Sequence, residues 1–113
     1  MNFDILEKYN ISFHIGVKGN KFPDGKSVLS SYLVPFRDRD DIDDFVRDVD
    51  LCLNGKLSQI AEPYYIDDLN KIYGQLSAND LILSDFEGNN KSFVPLTDFK
   101  EILLSWKEFL YNL

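Results

Sequence analysis

The residues of this chain best placed to do chemistry are carboxylates. Between Asp38 and Asp50, seven of them fall within thirteen positions, against two basic side chains, Arg39 and Arg47. Carboxylates at that density can chelate a hard cation, act as an acid–base pair, or present a negative field to a basic partner. The calcium reading fails on spacing. An EF-hand loop begun at Asp38 puts Ile42 at the fifth ligand position, Asp43 where glycine is required and Val49 where the bidentate acid belongs. A loop begun at Asp48 fails in the same way at Cys52 and Leu53. For acid–base or nucleophilic work the chain offers one histidine, His14, and one cysteine, Cys52, with no serine in a nucleophile-elbow pattern. The stretch from Gly16 to Gly19 lacks both the glycine spacing and the Lys-Ser/Thr pair of a phosphate loop. No catalytic centre, metal site or cofactor is therefore expected, and the acid points to binding.

A helix must carry that acid. Ile42, Phe45, Val46, Val49 and Leu53 recur at the spacing of one helical stripe, with Cys52 at its border, and Asn54-Gly55 ends the helix. At about 100° per residue, Asp41, Asp44 and Asp48 share one flank, while Asp40, Asp43 and Arg47 lie on the other. Asp43 stands four residues before Arg47, the favourable order for an ion pair, which leaves the flank of Asp41, Asp44 and Asp48 locally unneutralised. Asp38 or Asp40 is suited to cap the helix, but Asp48 and Asp50 lie too late for the helix dipole to favour them. Leu51 falls near the outer face as an apolar residue beside the acid. A second candidate surface is Glu62, Tyr64, Tyr65, Asp67 and Asp68, where aromatic rings sit among acids. Asp85 and Glu87 form a third, near a hairpin tip.

With 113 residues, 44% apolar content, nine Phe and six Tyr, the chain has material for one domain around one core. A formal charge of −7 argues against nucleic acid and anionic membrane surfaces as partners. No apolar run is long enough to span a bilayer, and Asp4 and Glu7 stand where a signal peptide would be basic and then apolar. A cytoplasmic location is the expectation.

The remaining elements follow from pattern. Ile11, Phe13, Ile15 and Val17 alternate with Ser12, His14 and Gly16, which predicts a strand with the first set buried and His14 outward. Gly19, Asn20, Pro23, Asp24 and Gly25 form a cluster of turn formers, Pro23-Asp24-Gly25 among them, that predicts the chain reversal, and residues 28–36 an apolar strand returning to pair with the first. Residues 58–76 fit a helical stripe through Tyr65, Leu69, Ile72, Tyr73 and Leu76, with Asp67 as its cap. Their aromatic and β-branched content supports a strand instead; the helix is the reading adopted. Gly88-Asn89-Asn90 predicts a hairpin between strands at 81–86 and 92–96. A last helix runs from Thr97 or Asp98 to about Tyr111, with Asp98 and Glu101 at capping-box spacing and Trp106 facing the core. Together these predict a single-domain α+β fold over residues 1–113, an antiparallel sheet with two main helices packed on it.

The C-terminal third, LILSDFEGNNKSFVPL running into TDFKEILLSWKEFL, resembles small bacterial immunity proteins of polymorphic toxin systems, including those of contact-dependent growth inhibition. The shared features are a strand ending in Val94-Pro95-Leu96 and a helix carrying Phe99, Ile102, Leu103, Trp106 and Phe109. The resemblance implies a cytoplasmic, acidic, non-enzymatic protein that binds and neutralises a cognate toxin domain, frequently a basic nuclease. A generic adaptor or regulatory subunit is the alternative, and a small enzyme is a further one.

Overall fold

A computed structural model describes residues 1–111. The elements, in order, are α1 (Phe3–Lys8), β1 (Ser12–Ile15), β2 (Lys21–Asp24), α2 (Val28–Leu33), α3 (Arg39–Leu53), β3 (Tyr64–Asp67), β4 (Ile72–Leu76), β5 (Asp80–Asp85), β6 (Ser92–Pro95) and α4 (Leu96–Tyr111). β3 to β6 form an antiparallel meander in sequence order, and β1 and β2 a separate two-stranded hairpin. Both long helices pack against the same core, so the expected α+β architecture holds.

The core is built from side chains on one face of each element. On the meander these are Ile72, Leu76, Leu81, Leu83 and Val94. On α3 they are Ile42, Phe45, Val49 and Cys52, and on α4 Phe99, Ile102, Leu103 and Trp106. The stripe on α3 sits slightly round from the expected one: Cys52 is in the core and Leu53 is exposed. Trp106 is fully buried beside Phe13, and its indole N–H donates to the Phe36 carbonyl at 2.7 Å, which satisfies the one polar atom the ring brings inside. Asp38 caps α3 by accepting the Asp40 and Asp41 amides. α4 begins at Leu96, so Asp98 lies inside its first turn instead of capping it. The Asp98 carboxylate receives the Tyr9 hydroxyl at 2.6 Å and the Lys8 ammonium at 2.9 Å, which fixes α1 to α4. Those two donors hold the Asp98 carboxyl below its usual range.

Three expectations are corrected. Residues 28–36 are not a strand: Leu29, Tyr32 and Leu33 have the three- and four-residue spacing of a buried helical stripe, and Val28–Leu33 is helical. β1 therefore pairs with β2, and the chain reverses at Val17–Gly19, where Lys18 and Gly19 both adopt positive φ, while Pro23 lies within β2 opposite Phe13. This early reversal puts Ile15 and Val17 at a hairpin tip beyond the core, 57% and 83% exposed, instead of on a buried face. Residues 58–76 are not helical beyond one short turn at Leu57–Gln59: β3 and β4 form a hairpin with Leu69 at its exposed tip. Asp67 closes that hairpin, accepting the Leu69 amide at 2.9 Å and the Asn70 amide at 3.0 Å.

Beneath this hairpin lies a close backbone approach. The Tyr32 hydroxyl donates to the Tyr65 carbonyl at 2.5 Å, and it occupies the space a Cβ at position 74 would need, about 2.1 Å from that point. Only glycine fits at 74.

Candidate partner-binding surface

The meander sets the surface out by parity. Tyr65, Gly74, Leu83 and their neighbours at every second position face the helices, so the intervening residues face outward. One row across the open face is Tyr64, Gln75, Ile82 and Phe93, and the next is Ile66, Tyr73 and Ser84. Tyr64, Ile66, Phe86 and Phe93 are exposed large apolar side chains, and a depression of about 350 Å³ opens between Tyr73, Ile82 and Phe86. The signal for this face was present in the sequence: Tyr64-Tyr65-Ile66 and Leu81-Ile82-Leu83 are apolar at both parities, where a strand with one solvated face alternates. Ile66 and Tyr73 went unrecognised because the hairpin that presents them was read as a helix, and Ile82, Phe86 and Phe93, on strands that were expected, were not assigned to a face.

On the other face α3 lies beneath the β3 edge. The Tyr65 ring stacks on Phe45 with centroids 3.7 Å apart and planes 6° from parallel, and its hydroxyl donates to Asp48 at 2.6 Å. Burial, then the hydrogen bond and charge of Asp48, push the Tyr65 hydroxyl above its ordinary range. The acidic flank of α3 and the Tyr64–Asp67 strand, separate candidates in the sequence, are therefore neighbours.

The carboxylates of α3 divide sharply. Facing α4, Asp43 pairs with Lys107 at 2.5 Å and Asp50 with Lys100 at 2.7 Å. Facing β3, Arg47 meets Asp44 at 3.0 Å and Asp48 at 3.8 Å, so the expected Asp43–Arg47 pair is replaced by two contacts on the opposite flank. Asp41 is exposed and has no ion-pair partner among the described residues. Asp44 stays largely exposed despite its pair, whereas Asp48 is mostly covered.

Several proposed contact residues turn out to serve the fold. Asp48 and Tyr65 bind each other, and Asp67 is fully buried in its turn. Asp85 accepts the Asn89 and Glu87 amides and the Asn90 side chain, so it closes the β5–β6 turn, and those donors hold its carboxyl below the usual range. Leu51 is half-buried in a shallow depression with Asp43, Val46 and Asp50, not an exposed leucine. Asp41, Asp44, Glu62, Tyr64, Asp68 and Glu87 remain accessible.

One constellation imitates a catalytic triad. On the β1–β2 hairpin the Ser12 hydroxyl lies 2.8 Å and the Asp24 carboxylate 3.7 Å from His14. Both approach the same nitrogen, Nε2, so no base is oriented through one nitrogen while it activates a nucleophile through the other. The group is exposed, and the His14 ring stacks on Phe22. No group of three or more potential metal ligands occurs among the described residues. Among the described residues no helix is long and apolar enough to cross a membrane.

No protein-family model matches this chain, nor does any curated protein or solved structure.

Proposed function

We propose that this chain is a stoichiometric protein inhibitor: an acidic immunity protein that binds a basic toxin domain, a nuclease being the best fit, and occludes its substrate groove. The observation that carries the reading is the division of acid on α3. Fold-serving carboxylates are matched to lysines on α4, while Asp41 and Asp44 stay accessible on the flank that faces β3, whose Tyr64 and Ile66 are exposed on the opposite sheet face. Carboxylates at such a surface stand in for the phosphates a nuclease groove holds, and adjacent aromatic and aliphatic side chains supply desolvated contact. The net charge of −7 adds long-range attraction for a basic partner and repels nucleic acid. Action takes place in the cytoplasm, where the toxin would meet its substrate.

The test is to read the frames that flank this chain's gene for a secreted protein with a toxic C-terminal domain, and to co-express that domain with the chain. Rescue of growth together with a 1:1 complex on size-exclusion chromatography is the expected result. Unrelieved killing without complex formation, or turnover of a small molecule by the isolated chain, would remove the reading.

A further inference from the structure

The two edges of the meander are not equivalent. On β6, the backbone positions that point away from β5 are Phe93 and Pro95, and proline has no N–H to offer. On β3, the Leu76 amide donates to the Pro63 carbonyl at 2.8 Å, which fixes the alternation: residues 63, 65 and 67 bond to β4, and Tyr64 and Ile66 turn their N–H and C=O groups outward. Those four groups have no hydrogen-bond partner among the described residues, and both side chains are 45% exposed. The edge carries neither a proline nor a bulge within Tyr64–Asp67, the usual protections of a strand left unpaired.

We propose that β3 is a docking edge, completed by one antiparallel strand from the protein partner, whose residues alternate basic and apolar. This deepens the reading of the chain as a protein binder and rests on it. Charge and parity specify the occupant. Directly paired residues of antiparallel strands share a sheet face, so partner residues opposite Tyr64 and Ile66 point to the apolar outer face. The same residues exchange the hydrogen bonds with β3. The alternate residues point to the other face, where Asp44 and Asp48 lie around the Tyr65 hydroxyl and Asp41 is one turn further along α3. Basic side chains belong there, since the acid exceeds what Arg47 neutralises. Backbone pairing then supplies affinity, and the alternating side chains supply selectivity.

The probe is an eight-residue peptide alternating Lys and Val, capped at both ends, added to the whole protein. Amide exchange at Tyr64 and Ile66 should slow about tenfold once the peptide is at ten times its Kd. Methylating the valine backbone nitrogens should abolish that protection, and methylating the lysine nitrogens should leave it, because only the outer-face residues donate to β3. Ile66→Pro removes an outward N–H that β4 does not use, so it should erase the peptide effect while exchange at Ile72 and Leu83 stays slow. No slowing at Tyr64 and Ile66 at millimolar peptide, or any other ranking of the two methylated peptides, overturns the proposal. Growth rescue by the full chain would survive that outcome, so the two readings fail separately.

Discussion

The two flanks of α3 carry the same kind of side chain to different ends. On the α4 side, Asp43 and Asp50 each meet a lysine, and the acid ties two helices together. On the β3 side one arginine serves Asp44 and Asp48, Asp41 has no partner among the described residues, and the acid faces an open sheet edge. A run of aspartates on a helix is thus not one feature. What each carboxylate does depends on what the fold brings across from it, and only the residue left over after that accounting is available to a partner.

The comparison breaks hardest where β3 is held over α3. Gly74→Ala forces a methyl group into the Tyr32 hydroxyl and the Tyr65 carbonyl, and should cost about 1–3 kcal/mol as an overpacked core position. Denaturant unfolding gives the magnitude, and hydrogen exchange should show β3 loosening before α4. Tyr65→Phe is gentler. It keeps the stack on Phe45 but leaves the mostly covered Asp48 without its hydroxyl donor, at about 1 kcal/mol. It also changes the alkaline limb of stability. The Tyr65 hydroxyl is raised in the folded state, so its contribution is complete below the unfolded value of about 10 and is lost as pH rises through the higher folded value. The variant should unfold with a shallower slope above pH 10.

Smaller effects separate the flanks themselves. Replacing Asp43 and Asp50 together with Asn removes both links to α4 and should destabilise by at most about 1 kcal/mol per pair, since all four side chains are at least partly exposed. Added salt should shrink the difference from wild type. Replacing Asp41 and Asp44 with Asn should change stability by no more than about 0.5 kcal/mol, because Asp41 has no ion-pair partner among the described residues and Asp44 only an exposed one. Asp48 is kept out of that pair, since its loss would confound binding with the Tyr65 contact.

The parts of this division that were legible in the sequence came from local pattern. α3, α4 and the Gly88-Asn89-Asn90 hairpin each combine a clear period with terminal or turn residues, and all three elements form where expected, although Asp98 lies inside α4 and Leu53 falls off the buried stripe of α3. Residues 28–33 and 64–76 were misassigned because their elements are four to six residues long, too short for a period to be decisive: in the first the extended reading of an apolar run hid a helical stripe, and in the second a chance helical spacing outweighed aromatic and β-branched content that pointed to strands. The site suffered a different loss. Asp41 and Asp44 were recognisable as exposed acid from helix geometry alone. That Asp48 belongs to Tyr65, and that Asp43 and Asp50 belong to Lys107 and Lys100, depends on contacts between elements far apart in the chain. Spacing within one helix favoured Arg47 for Asp43, whereas Lys107 reaches it across the helix pair.

The direct test of the division compares two variants of equal charge. Asp41→Asn with Asp44→Asn, and Asp43→Asn with Asp50→Asn, each take the formal charge from −7 to −5, so any difference between them reflects position and not net field. Association of each with the basic toxin domain should be followed by stopped flow across a series of salt concentrations. The first variant should associate more slowly than wild type and lose rate less steeply as salt rises, while the second should stay closer to wild type in both respects. Equal behaviour of the two, or the larger loss in the Asp43 and Asp50 variant, would contradict the assignment of the β3-side flank as the binding surface.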